Sequence, residues 1–512
     1  MNDHFWKRFF VGVILLQIAI LSLRLTDPFV DGRFHINWAP PFWLLKAQNM
    51  HEVNFAHAYF GAVAGTADDG HGGKIATGWY TSHPQFIAIP LYLWTGLFGF
   101  KEWSVRSLAG FVTILTTIIF WFAWRERHTL KEATLFSFFW SLTPIIIIFC
   151  RKLDQEPFVI FFAALAMLGH ERFHTKKDSV PWLWAIAIFG MMWSDWSGFI
   201  FGGLLFIAQI CASRLHAPSK KLMVACVPAG VAGVTVVVGQ TILQSTSTNE
   251  AVSGFKGLYA YRSGSGQHGF WLNWTRHQLE HFWLSYGSVV GYIATFFSVR
   301  ALGNWKQIKQ DITTTGLQLK HLAIVFFVGT FLYALIIPQA TFIHIYYQYY
   351  YSIAVAFGCV LFIDFFQSYI SRKQIASIAV PFALVIVFWL FIYFGLTRLY
   401  QDKSAGFGFG GEIDLIKVIY TIPPTEKVIM VDGTVGMDSW LDNPNIEYYA
   451  GRQIRVQKSP EIPFDFQYVM IGNQRVLERA EALSRTSIFK NQMYKVIQCS
   501  RDLCLLHIEP RK

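Results

Sequence analysis

Long apolar runs recur along this chain so often that helices threading a membrane are almost the only fold it can adopt. About eleven stretches, near residues 9–25, 107–124, 133–150, 157–170, 181–194, 197–213, 222–243, 283–299, 321–337, 351–370 and 376–397, are apolar over most of their length. A helix needs ~20 such residues to cross the hydrocarbon core, where every backbone N–H and C=O must be satisfied within the segment. Charged residues are only 15% of the chain, against about 25% in an ordinary soluble protein. The expected fold class is therefore an α-helical polytopic membrane protein. The first run follows Lys7 and Arg8 and has no small-residue cleavage site before Asp27, so it reads as a retained signal anchor.

The net charge of +11 could suggest nucleic acid, but its placement argues against that. Lys and Arg sit in short turns between apolar runs, where they orient the spans with the positive side inward. No contiguous basic patch interleaved with aromatics occurs, so the expected surroundings are membrane lipids and no nucleic acid.

The stretch Phe86–Phe100 fits either a short span or a helix lying in the interface, and loop charge separates the two. If it crosses, the turns holding Arg125, Arg127 and Lys131, then Arg172, Lys176 and Lys177, then Arg214, Lys220 and Lys221 all face outward. If it does not cross, these turns and the turns Arg300–Lys320 and Arg372–Lys373 join Lys7 and Arg8 inside. The positive-inside rule selects the second arrangement, with interfacial helices in the first outer loop. The outward loops are then 26–106, 151–156, the turn at Asp195, 244–282 and 338–350. Arg151 and Lys152 stand outward against the rule, which points to a use for them.

From about residue 399 the chain changes character. Strand-like runs (KVIMV, QYVMIG, YKVIQC, CLLHIE) alternate with helical ones (GEIDLIKVIY, RVLERAEALSR). The expectation is a transmembrane domain over 1–398 and a small extracytoplasmic α/β domain over 399–512. Cys499 and Cys504 flank a tight turn, and a cross-hairpin disulfide there suits an oxidising compartment. Cys150, Cys211, Cys226 and Cys359 lie in or beside apolar runs and read as small buried hydrophobes.

This topology gathers Asp27, Asp31, Arg33, His35, His83, Arg151, Lys152, Asp154, Glu156, Asp195 and His344 on one side. Polar residues belong in loops in any case. Asp27, Asp154 and Glu156, however, lie within a few residues of an apolar run, where a carboxylate is costly without a partner or a task. The run HIYYQYYY over 344–351 reads either as an interfacial aromatic belt or as a platform for a sugar or its carrier.

Three segments resemble the GT-C superfamily of membrane glycosyltransferases, in particular the family 39 branch of protein O-mannosyltransferases and aminoarabinose transferases. One is a single span followed by an acidic residue, Asp27, opening a long outer loop. Another is YTSHPQFIAIPLYLWTGLFGFKEWSVRSLAGF, similar to that branch's HPPL-type segment. The third is SLTPIIIIFCRKLDQEPFVIFFAALAML, like its Pro–apolar–Arg–acidic–span pattern. Together they cover roughly residues 1–170; beyond that the likeness is architectural. The chain departs from the pattern in having Pro28 after Asp27, and HPQF in place of HPPL, which leaves Asp27 and Asp31 both open as the catalytic acid residue.

The resemblance implies inverting transfer of a sugar from a polyprenyl-phosphate carrier to a lipid, glycan or protein acceptor on the outer face of a bacterial inner membrane. The residues suit that chemistry. An acceptor hydroxyl needs a positioned base, and Asp27 is the expected one. The lipid phosphate leaving group needs cations or donors, for which Arg151 and Lys152 are placed, with His83, Arg106, His344, Tyr346 and Tyr347 as further substrate contacts. Asp154 and Glu156 orient the sugar, hold a cation or ligate a metal. No essential cofactor is expected, with a divalent metal left open.

Other classes compete. A diphosphate-linked oligosaccharide donor would make the chain an oligosaccharide transferase. A lipid or sugar flippase would place ionisable groups near mid-span and show repeated halves, and neither pattern is present. His277-Gln-Leu-Glu280-His281 matches an inverted zinc-protease motif. It sits just before a span with no third ligand evident, so His277 and His281 are weak metal candidates.

Overall fold

In the computed structural model, residues 2–23, 25–26, 39–176, 181–245, 247–263, 270–287, 289–303, 305–371 and 385–397 are described, with short stretches of 418–510. The chain divides into two units, Met1–Leu25 with Ala47–Tyr400, and Thr26–Lys46 with Gln401–Lys512.

The larger unit begins with α1 (Asp3–Ser22). After α2 (Ala39–Glu52), which straddles the two units, come the antiparallel hairpin β1 (Val63–Asp68) and β2 (Lys74–Trp79), then α3 (Ala88–Phe98) and α4 (Glu102–Arg125). Next are α5 (Leu130–Leu142), α6 (Pro144–Phe149), α7 (Glu156–Thr175), α8 (Trp182–Ser194), α9 (Trp196–Ser213), α10 (Ser219–Leu243) and α11 (Thr248–Ser263). The rest are α12 (Phe270–Tyr286), α13 (Val289–Gly303), α14 (Trp305–Thr315), α15 (Leu319–Ile336), α16 (Pro338–Ile343), a 3-10 turn (Ile345–Tyr351), α17 (Ser352–Ser371) and α18, residues Val385–Thr397.

Among the described residues, α1, α4, α9, α10, α15 and the continuous helix Ile345–Ser368 are each long and apolar enough to cross a bilayer. Of the expected spans, 181–194 is the 13-residue α8, 376–397 is described only over 385–397, and two others are broken. The run 133–150 is two helices, because Pro144 lacks the N–H that would continue α5 and instead starts α6. The run 283–299 is not one straight span: α12 and α13 meet at a 104° bend, and Gly287 there adopts a φ of +67° that a side chain would disfavour.

The stretch Phe86–Phe100, read as interfacial from loop charge, holds one short helix. Its helix, α3, has 11 residues, a length of about 16 Å at the α-helical rise, roughly half of the ~30 Å core. The cation-bearing turns also converge at one end of the bundle. Arg127 pairs with Glu171 at 2.6 Å and donates to the Thr315 carbonyl at 2.9 Å. Arg172 reaches Glu126 at 3.0 Å, Lys131 reaches Asp364 at 3.0 Å, and the His174 ring lies 5.2 Å from that of His216. The core between the two ends is aromatic, with Trp124, Trp140, Trp184, Phe120 and Phe136 fully buried.

Close helix packing shapes the turn between α8 and α9. A Cβ on Gly198 would stand 1.9 Å from the Met191 carbonyl oxygen, so a larger residue must push the two helices apart. Gly198→Ala is expected to cost about 1–3 kcal/mol, the usual range for overpacking, read as a lower thermal unfolding midpoint in detergent.

The smaller unit carries a five-stranded sheet of order β4-β3-β5-β7-β6. Its strands are β3 (Val428–Val431), β4 (Arg455–Gln457), β5 (Tyr468–Gly472), β6 (Gln492–Cys499) and β7 (Leu503–Pro510). The first three in sheet order are parallel, and β5, β7 and β6 are antiparallel. The four strand-like runs of the sequence are all strands; β4 is the addition. Cys499 and Cys504 are register partners across the β6–β7 hairpin. The run RVLERAEALSR and most of GEIDLIKVIY lie outside the described residues.

Candidate active site

At the end of the bundle opposite the cationic turns, Asp195 is almost fully buried. It caps α9, with Oδ2 accepting from the Ser197 amide at 3.3 Å and the Ser197 hydroxyl at 2.7 Å, as a side-chain oxygen does for the orphan donors of a helix start. Tyr350 and Tyr333 donate to the same oxygen at 3.1 and 3.4 Å. His83 Nδ1 meets the other oxygen at 2.7 Å, and Arg262 reaches His83 Nε2 at 2.5 Å.

A guanidinium can only donate, so Nε2 must accept and the proton must sit on Nδ1, facing Asp195. This fixes a neutral imidazole between a carboxylate and a cation. Burial and the adjacent Arg262 both lower the His83 pKa, against the pull of Asp195. Burial works to raise the Asp195 pKa, but the bonds from His83 and Ser197 and the charge of Arg262 outweigh it and hold the carboxyl ionised.

A second cluster comes from the loop between α6 and α7. Lys152 Nζ lies 2.6 Å from Asp154 and 3.8 Å from Glu156, and 3.0 Å from the centre of the Tyr346 ring. The His344 ring stacks on the other neighbour of this group, Tyr346, at 4.9 Å and 20°. Tyr347 packs edge-on to Tyr333, with centroids 5.5 Å apart. The 3-10 turn therefore bridges the two clusters. Its residues Tyr347 to Tyr351 are buried, which argues against an interfacial aromatic belt over that part of the run.

Burial pushes the Glu156 carboxyl up to about 8 from 4.5, Lys152 opposing and Asp154 and Asp195 adding to the rise. Between these values the unfolded chain has released a proton that the folded chain keeps, so stability falls as pH rises through this window. Thermal unfolding midpoints are expected to drop from pH 4.5 to 8, and Glu156→Gln is expected to flatten that slope.

Arg151 is held by backbone carbonyls, and Arg106 also reaches one. Arg151 donates to the carbonyls of Leu23 and, at 3.3 Å, Ile20, and Arg106 to that of Leu25 at 3.2 Å. Arg151 thus lies at the C-terminal end of α1, where a cation suits the helix dipole. Asp27, Asp31, Arg33 and His35 lie outside the described residues. His277 and His281 sit one turn apart with ring centroids at 5.9 Å. Among the described residues no group of three or more His, Cys, Asp and Glu side chains is placed to hold a metal.

The site thus joins His83, Lys152, Asp154, Glu156, His344, Tyr346 and Tyr347 of the expected residues. Asp195, expected on this side but given no role, is its centre, and Arg262, Tyr333 and Tyr350 are added. Asp195 had a readable signal, an Asp-x-Ser start between two apolar runs. Arg262 had little beyond its place in an outer loop.

Residues 82–237 match the family of dolichyl-phosphate-mannose-protein mannosyltransferases, a span that contains His83, Lys152, Asp154, Glu156 and Asp195. No curated protein sequence matches the chain. Among solved structures, ArnT from Cupriavidus metallidurans bound to undecaprenyl phosphate is similar at a TM-score of 0.65 and 10% identity, over 97% of each chain. The Archaeoglobus fulgidus oligosaccharyltransferase tethered with an acceptor peptide is similar at 0.55 and 12% identity, over 100% of this chain and 75% of its own. The mycobacterial arabinofuranosyltransferase AftD gives 0.51 at 10% identity, over 99% of this chain and 40% of its own.

Proposed function

We propose that the chain, whose residues 82–237 match the mannosyltransferase family and whose fold is similar to that of ArnT, is a multi-pass GT-C membrane glycosyltransferase that transfers a sugar with inversion from a polyprenyl-phosphate carrier. The acceptor is a lipid, glycan or protein group on the periplasmic face of an inner membrane. The observation that carries this reading is the convergence of Lys152 and Arg262 with the carboxyl groups of Asp154, Glu156 and Asp195 at one end of the bundle.

Such an arrangement suits a reaction that releases a lipid phosphate. The leaving oxygen gains charge as the sugar departs, and fixed cations stabilise it more in the transition state than in the ground state. Asp27 takes the acceptor proton as the sugar carbon is attacked from the face opposite the phosphate. Asp195 keeps the His83 ring in one tautomer and thereby aims Arg262. Asp154 and Glu156 hold Lys152. That the ArnT structure contains undecaprenyl phosphate supports a carrier of this chemical type here.

The reading requires no cofactor, so transfer is expected to proceed undiminished in EDTA; a loss restored by a divalent cation would contradict it. Carrier chemistry is tested by giving the full chain in nanodiscs a lipid extract of the source envelope and following the carriers by mass spectrometry. Consumption of a monophosphate-linked sugar with release of polyprenyl monophosphate is expected. Release of polyprenyl diphosphate would favour the oligosaccharide-transferase alternative.

A further inference from the structure

A cavity of about 500 Å³ lies beside this site, between the β1–β2 hairpin, the C-terminal end of α10 and α11. That volume falls within the roughly 300–1,000 Å³ of small-molecule pockets. Three glutamines hold its walls. Gln85 accepts from the Ala62 amide at 2.7 Å and donates to Gln244 at 2.6 Å, and Gln240 donates to the Tyr59 carbonyl at 2.9 Å. The hairpin is thereby fixed over α10. At Gly61 a Cβ would stand 1.9 Å from Gln244 Nε2, so the close approach depends on glycine.

The lining chemistry is selective. Thr77, Thr81, Ser82 and Ser245 offer hydroxyls, Trp79 and Phe255 offer ring faces, and Glu250 is the sole charged residue among those lining it. Among the described lining residues there is a carboxylate and no cation, which disfavours phosphate, whereas hydroxyl-rich rings find donors, acceptors and aromatic faces. The cavity also adjoins the chemistry. Ser82 precedes His83, with its carbonyl held by Trp196 Nε1 at 2.9 Å, and Leu258 lies one helical turn before Arg262 on α11.

We propose that this cavity binds a neutral saccharide unit of the acceptor, an inference that rests on the transfer reading above. The donor phosphate is met by Lys152 and Arg262, and the uncharged sugar to be extended is held a few residues away, on the far side of His83.

The test uses the full chain in nanodiscs and saturation-transfer NMR with methyl mannoside, methyl galactoside, methyl N-acetylglucosaminide and inorganic phosphate. A Cβ on Gly254 meets nothing within 4 Å, so Gly254→Trp fills the cavity without disturbing the fold. At least one glycoside is expected to bind wild type, to lose about 10-fold or more in affinity in Gly254→Trp, ~1.4 kcal/mol, and to weaken in Glu250→Gln. Absence of glycoside binding, equal binding by Gly254→Trp, or displacement by phosphate overturns the proposal. Carrier turnover is measured on the same samples. Turnover without glycoside binding sinks this inference alone, whereas glycoside binding without turnover sinks the transfer reading.

Discussion

Asp27→Asn is expected to lower sugar transfer by about 10²–10⁴-fold, the usual contribution of a positioned general base, with expression and thermal stability unchanged. The amide keeps the shape of the carboxyl and loses only its capacity to take the acceptor proton. Arg106 and Arg151 donate to the carbonyls of Leu25, Leu23 and Ile20, in the described segment that precedes Asp27 in sequence. Full activity in Asp27→Asn, with loss in Asp31→Asn, would move the base to the second acid.

Lys152→Met carries the next largest effect, a fall in kcat of about 10²–10³-fold, as for loss of one donor to a developing oxyanion. Met retains the apolar stem over Tyr346 and removes the charge. Arg151→Ala makes the contrast. Its guanidinium closes the end of α1, so its loss is expected to appear as lower stability, with turnover per folded molecule changed less. The sequence made these two neighbours look equivalent, since both stand outward against the positive-inside rule. Only the structure separates a cation facing Asp154 and Glu156 at 2.6 and 3.8 Å from one consumed by backbone carbonyls.

That contrast shows how far sequence reasoning reaches. Hydropathy placed the helices because a bilayer demands local satisfaction of every backbone group. Loop charge read Phe86–Phe100 as interfacial, and cationic turns which that reading puts on one side do meet, Arg127 with Glu171 and Thr315. Breaks within apolar runs were harder to read. Pro144 and Gly287 lie inside stretches whose mean hydropathy barely registers them, yet each ends a helix. The site was half legible. Residues 82–156 bring His83, Lys152, Asp154 and Glu156 from local patterns, whereas Asp195, Arg262, Tyr333 and Tyr350 join them across more than 100 residues. No local rule announces contacts of that range. The Gln85 that replaces a proline of the family pattern also acquires a reason, because it ties the hairpin to α10.

The central claim, transfer from a monophosphate-linked carrier, is tested most directly by mass spectrometry of carriers, glycolipids and glycoproteins in a strain lacking this protein. Accumulation of one polyprenyl-phosphate-linked sugar, together with loss of that sugar from one acceptor, is the expected result, reversed by the wild-type chain and not by Asp27→Asn. Unchanged glycans with an unchanged carrier pool, or accumulation of a diphosphate-linked oligosaccharide instead, would contradict it.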